Sequence, residues 1–215
     1  MILKIDRTVF LLLFLTTLYA CNDQVKKDYW ENGNLRSELS YQDGKLNGKS
    51  TWYFENGQKE QEAFYRDNRL EGVMRRWHPN GKPESELTYQ DGLKNGMEAG
   101  YDVRGNKISE AYYVNDTLEG SFRQWYSDGI LKVEGAYVKG FFDGKWLYYD
   151  AYGNVVGIGN FENGSGVQKG WWPNGNLKRE INYRQNLKHG TEKWYDDQGE
   201  LINTIEFNMG VQIKE

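Results

Sequence analysis

Aromatic residues recur at fixed intervals along this chain. One ring stands at Tyr29, Tyr53, Trp77, Tyr101, Trp125, Tyr149, Trp171 and Tyr195, and a second at Tyr41, Tyr65, Tyr89, Tyr113, Tyr137, Phe161, Tyr183 and Phe207. The runs that carry them, such as residues 49–55 and 58–65, are short, aromatic-rich and free of proline. Segments of that kind predict β-strands. Gly, Asn and Asp punctuate them in three slots. The first slot holds Gly33, Gly57, Gly81, Gly105, Gly129 and Gly153 at steps of 24 residues, then Gly175 and Gly199 after a two-residue deletion. Asn32, Asn56, Asn80 and Asn174 precede four of these glycines and Asp128 a fifth. Asn-Gly between strand-like runs predicts a type I′ hairpin turn, whose two central residues both need positive φ. The second slot reads Gly44, Asn68, Gly92, Asp116, Gly140, Gly164, Asn186 and Gly210, the three residue types most tolerant of left-handed backbone. A third holds Gly48, Gly72, Gly96, Gly120, Gly144, Gly166 and Gly190, with Lys214 in the last copy. One unit therefore encodes two turns and two strands, and the chain reads as eight tandem copies of it. Such an all-β array has no need of a globular core; rings stacked across neighbouring hairpins are expected to hold it together.

The segment before the array is of another kind. Lys4 and Arg7 precede an uncharged run from Val9 to Leu18, which reads as a secretory signal and is too short to cross a bilayer as a helix. Cys21, the only cysteine, follows at once. Leu18-Tyr19-Ala20-Cys21 resembles a bacterial lipobox, which implies that Cys21 is lipidated and becomes the mature N-terminus. The alternative is plain cleavage near Ala20, leaving Cys21 a free thiol. The expected division is a signal over residues 1–20, a short linker over 21–28 and repeats over 29–215. Asn22 lacks the Asp associated with inner-membrane retention, so the expected location is the bacterial envelope, at the outer membrane by a lipid anchor. Removing Lys4, Asp6 and Arg7 from 27 basic and 31 acidic residues leaves 25 and 30, a net charge of −5. Acids interrupt the basic residues throughout, so no nucleic-acid partner is expected.

The unit Trp52-Tyr-Phe-Glu-Asn-Gly-Gln-Lys-x-x-Glu62, followed by Tyr65-x-x-Asn-x-Leu70-x-Gly72, resembles the bacterial variant of the MORN repeat. The resemblance runs from about Tyr29 to the C-terminus and implies an elongated, single-layer antiparallel β-meander of about eight hairpin repeats. Bacterial members are often labelled antitoxins of a YwqK type, a name that implies protein binding. Locally, residues 144–153 also look like choline-binding or wall-binding repeats, and Tyr101-Asp-x-x-Gly-Asn106 like the YD repeats of shell-forming proteins.

Candidate chemistry is sparse. A carboxylate recurs at Glu38, Glu62, Glu86, Glu110, Glu134 and Glu180. One per copy places neighbours about 9–10 Å apart, too far to share a metal, so a ladder paired with Lys and Arg on adjacent strands is expected. His78 and His189 occupy slots filled by other residue types in sibling copies. Gly157-x-Gly159 has no helix to follow it, against a dinucleotide site. No nucleophile, base, metal site or cofactor is expected, and the chain reads as non-enzymatic. The leading expectation is an envelope-anchored scaffold that binds another protein, with self-association through its end strands. Carbohydrate or cell-wall binding by exposed rings is the alternative, with Trp30, Trp52, Trp146, Trp172 and Trp194 as candidate platforms. An antitoxin-like binding role follows from the family label alone.

Overall fold

A computed structural model describes residues 23–214; the expected signal segment and Cys21 lie outside the described residues. The strands are β1 (Asp23–Tyr29), β2 (Leu35–Gln42), β3 (Lys45–Tyr53), β4 (Lys59–Arg66), β5 (Arg69–Leu70), β6 (Gly72–Trp77), β7 (Pro83–Gln90), β8 (Leu93–Tyr101) and β9 (Lys107–Val114). They continue as β10 (Thr117–Trp125), β11 (Leu131–Val138), β12 (Phe141–Tyr149), β13 (Val155–Glu162), β14 (Ser165–Trp171), β15 (Leu177–Arg184), β16 (Leu187–Tyr195), β17 (Leu201–Asn208) and β18 (Val211–Lys214). Each pairs antiparallel with its neighbours in the chain, β5 and β6 being two pieces of one strand beside β4. The result is one open antiparallel sheet of 18 strands, all-β among the described residues, with β1 and β18 at its edges. The expected linker is corrected here: from Asp23 onward it is strand, paired from Asp23 opposite Gln42 to Tyr29 opposite Leu35. The run Asp23-Gln-Val-Lys-Lys-Asp is polar because every β1 residue is exposed, so it carries no strand-like hydrophobic pattern.

The two turns of each copy differ, and the first slot does not hold the expected type I′ turn. At the first slot the Gly33 amide donates to the Trp30 carbonyl at 2.9 Å and the Trp30 amide to the Asn34 carbonyl at 2.8 Å. Gly33 has φ 86°, whereas Asn32 is not left-handed. This is a three-residue loop, a type I turn closed by a left-handed glycine bulge, and the other seven first-slot glycines repeat it. Type I′ geometry sits at the second slot, where both residues of each pair have positive φ, as in Asp43 at 50° and Gly44 at 79°. Asn-Gly suits either loop, so only the number of residues between strand ends separates them.

The side chain before the first-slot glycine has a task of its own. Asn32 Oδ1 accepts the Asn34 amide at 2.9 Å, and Asn56, Asn80, Asp128 and Asn174 do the same in their copies. Arg104, Tyr152 and Gln198 stand there in the remaining three copies, and each of these has an aspartate two residues earlier. Asp102 Oδ1 accepts the amides of Arg104 and Asn106, Asp150 those of Tyr152 and Asn154, and Asp196 those of Gln198 and Glu200. Every loop is thus capped by one of two equivalent Asx arrangements.

The third-slot glycines mark β-bulges: between the pairs Leu39–Ser50 and Tyr41–Leu46, Ser40 faces three residues including Gly48, whose φ is 90°. The two-residue deletion falls between Gly164 and Gly166, and there β13 and β14 pair without any register shift. The deletion removed a bulge and kept the turn.

Successive type I′ turns are bonded to each other. The amides of Asn68, Gly92, Asp116, Gly140, Gly164, Asn186 and Gly210 each donate to the carbonyl 22 residues earlier, beside the preceding turn, at 2.8–2.9 Å.

 

Where the slot holds Asn or Asp the side chain adds a bond: Asn68 Oδ1 accepts the Leu46 amide and Asp116 Oδ1 the Lys94 amide, each at 2.7 Å. Asn186 reaches past the shortened turn, accepting the Phe142 amide and donating from Nδ2 to the Gly140 carbonyl, both at 2.8 Å. Asn186→Gly keeps the left-handed backbone and deletes both side-chain bonds. Urea denaturation should show a loss of about 1–2 kcal/mol.

Alternation along the strands divides the side chains between two faces. One face carries the row Lys27, Glu38, Thr51, Glu62, Arg75, Glu86, Ala99, Glu110, Arg123, Glu134, Leu147, Ile158, Lys169, Glu180, Lys193 and Thr204, each opposite the next. The carboxylate ladder is therefore an ion-pair ladder: Lys27 meets Glu38 at 3.0 Å, Arg75 meets Glu86 at 2.9 Å and Lys169 meets Glu180 at 3.0 Å. Where Ile158 replaces the usual Glu, its partner is Leu147, an apolar pair in place of an ionic one.

The opposite face holds most of the buried residues, among them Ser50, Ala63, Leu87, Ala111, Trp146, Phe161 and Ile181. Stacked rings are not spread evenly along the array as expected. Phe122, Tyr137, Phe142, Trp146, Phe161 and Tyr183 form one cluster with centroid separations of 4.8–6.5 Å. In the N-terminal third the ring pair is Trp52 with Tyr65, at 6.3 Å. Rings elsewhere are covered by cations, such as Lys59 over Trp77, Lys94 over Tyr113 and Lys107 over Trp125. Amphipathic Lys and Arg stems cover ring faces that a single layer leaves bare.

Candidate binding cleft

The five candidate tryptophans do not share a surface. Trp146 is corrected outright: at 3% exposure it lies inside the ring cluster, its Nε1 donating to the Ala136 carbonyl at 3.2 Å. Trp30 and Trp172 are struts between copies, donating from Nε1 to the carbonyls of Tyr53 at 3.0 Å and Tyr195 at 3.1 Å. Tyr126 and His78 do the same work in their copies, His78 Nε2 lying 3.2 Å from the Tyr101 carbonyl oxygen. His189 accepts the Met209 amide at Nδ1. Both histidines thus have local structural partners. Among the described residues no three His, Cys, Asp or Glu side chains are grouped as metal ligands.

Trp172 and Trp194 do converge, on a cleft of about 610 Å³. Its floor is the cross-strand row Tyr148, Gly157, Gly170, Arg179 and Trp194, each opposite the next on β12 to β16. Gly157 and Gly170 face each other, so two strands in succession present no side chain. The Arg179 guanidinium stacks over Trp194 at 4.2 Å and donates from Nε to Glu192 Oε1 at 2.8 Å. Lys178 lies over Trp172 at 4.2 Å and has no carboxylate partner among the described residues. Gln168 accepts the Tyr183 hydroxyl at 3.1 Å. Burial pushes the Tyr148 hydroxyl well above the ordinary tyrosine range, so it is neutral at physiological pH.

The sequence does carry a signal for this cleft. Gly157 and Gly170 belong to none of the three glycine slots, and neither has positive φ. Gly135 and Gly159 share that property for another reason, since a Cβ on either would come within 2.2–2.3 Å of the Trp146 or Phe161 ring. Off-slot glycines mark close packing or open space, and the two become distinguishable only once the strands are paired.

The family model described as MORN repeat variant matches six stretches, residues 25–43, 46–67, 70–91, 118–139, 165–185 and 188–209, more than half of the chain. The chain belongs to the MORN repeat variant family. The two MORN units without a match lie within residues 92–117 and 140–164, and they hold the loops capped by Asp102 and Asp150. Their hairpins nonetheless keep the shared register. No curated protein matches the sequence. Among solved structures it is similar to one described as "Crystal Structure of TcdB2-TccC3-Cdc42", with 10% identity over 87% of this chain and 13% of that one and a TM-score of 0.19. So low a TM-score says nothing about function.

Proposed function

We propose that this protein is a non-enzymatic, envelope-anchored repeat scaffold that binds another protein at its C-terminal edge. The contrast between the two end strands carries this reading. β1 is guarded by charge, with Lys27 paired to Glu38 at 3.0 Å and Lys26 held over Tyr41 at 4.5 Å. Such lysines discourage pairing with another chain. At the other end Leu201, Ile202, Val211 and Ile213 are all more than half exposed. β18 covers only Glu206 to Asn208 of β17, so the rest of that strand's outer edge is open among the described residues. An apolar, unpaired edge favours strand addition by a partner. The uncharged run from Val9 to Leu18 and the Cys21 after it support a lipid tether at the outer membrane, and the antitoxin label of family members fits the same reading with a toxin as partner.

Pull-downs from envelope extracts should recover a partner with the full chain and lose it when residues 201–215 are removed, with light scattering reporting any self-association. Equal recovery by both would overturn the edge role. Cys21→Ala should release the protein from the membrane fraction and abolish labelling by a fatty-acid probe.

A further inference from the structure

We infer that the cleft over Gly157 and Gly170 is a binding site for an acidic saccharide, separate from the protein-binding edge. Gly170 carries the argument. A glycine inside a strand costs stability, and Gly170 has ordinary extended backbone that any residue could adopt. Other off-slot glycines have closer neighbours: the Trp146 ring at Gly135, the Phe161 ring at Gly159, Ser109 Oγ at Gly100, and, for a Cβ on Gly157, the Lys169 carbonyl oxygen at 3.2 Å with Tyr148 at 3.3 Å. A Cβ on Gly170 would meet only the Val156 carbonyl oxygen, at 3.4 Å. The protein leaves that space open, and the space is the cleft.

Its walls define the occupant. Tyr148, Trp172 and Trp194 supply apolar ring surface, which suits the C–H face of a pyranose. Lys178 and Gln168 contribute donors to the lining. Asp150 also lines the cleft, but its carboxylate oxygens accept bonds from Tyr152 and Asn154. The oxygen of Gln168 accepts the Tyr183 hydroxyl, leaving its amide N–H groups. Lys178 brings an ammonium with no carboxylate partner among the described residues. An ammonium with no carboxylate partner among the described residues, beside the Gln168 amide, selects an acceptor-rich anion, so the sugar bears a carboxylate that meets Lys178. A peptide fits less well: the strands at this floor are already paired on both sides and offer no edge to its backbone.

Isothermal titration of the full chain with a glucuronic-acid trisaccharide should show saturable binding, at least about tenfold weaker for the glucose trisaccharide. Gly170→Val should abolish binding without lowering the melting temperature, and Gly170→Ala should weaken it in the same direction. Lys178→Gln should erase the preference for the acid while leaving affinity for the neutral sugar unchanged. No saturable saccharide binding, undiminished binding by Gly170→Val, or preference for an acidic peptide over both sugars would overturn the inference. These variants leave residues 201–215 intact, so failure here and failure of the edge role are read separately.

Discussion

Trp146→Ala is expected to destabilise the protein by about 3–5 kcal/mol, measured by chemical denaturation. The ring is nearly inaccessible and touches Phe142 at 4.8 Å, Tyr137 at 5.1 Å and Phe122 at 5.6 Å, so its removal opens a hole at the centre of the cluster. Gly135 gives an independent check. A Cβ there would sit 2.2 Å from the Trp146 ring, so Gly135→Ala must displace the ring and should also destabilise. Combining the two should cost less than their sum, because alanine at position 146 leaves room for the added methyl. Strict additivity would mean that the ring does not lie over Gly135.

Glu192→Ala is expected to cost about 2–3 kcal/mol at neutral pH. The carboxylate side chain is 2% exposed and binds Arg179 Nη2 at 2.6 Å and Lys188 Nζ at 2.5 Å. Removing it strands two cations, which recover some hydration because each is about a third exposed. Burial by itself would raise the Glu192 pKa, but the bonds and charges of Lys188 and Arg179 outweigh it and hold the carboxyl below its ordinary range. The ion pairs therefore contribute fully above the unfolded-state pKa, and their contribution is lost as pH falls through the lower folded value. Denaturation at about pH 7 and about pH 3 should show the penalty of Glu192→Ala shrinking in acid. Glu62 behaves alike: burial opposes its ionisation, and Lys49 and Lys59 at 2.8 and 2.7 Å prevail. Tyrosines set the alkaline limit. Burial raises Tyr137, Tyr148 and Tyr183, so their contribution is complete below about pH 10 and is lost as pH rises beyond it through their folded values.

The repeat was legible because positive φ leaves a residue-type signature. Gly44, Asn68 and Asp116 differ chemically yet share one backbone conformation, and that agreement exposes the second slot. Loop type was not legible from the same residues, since Asn32 and Gly33 satisfy a three-residue loop and a two-residue turn equally well. Asp102, Asp150 and Asp196 escaped notice because they do the work of Asn32 from a different position. The glutamate ladder was legible in its pairing, because one carboxylate per unit in an antiparallel sheet must face the intervening strand. The tryptophans were not, since none is fully exposed and a ring that is half-buried in one copy is a core residue in another. Whether Trp146 or Trp194 meets solvent depends on glycines one or two strands away, at Gly135 or Gly170.

Pairing only between consecutive strands has a mechanical consequence. With β1 bonded to β2 alone and β18 to β17 alone among the described residues, tension applied across the sheet reaches the end hairpins first and loads their backbone bonds one after another. A chain pulled from both ends would yield hairpin by hairpin from its edges toward the ring cluster between Phe122 and Tyr183, instead of rupturing in one event. Such a sheet would act as an extensible leash with a graded response to load.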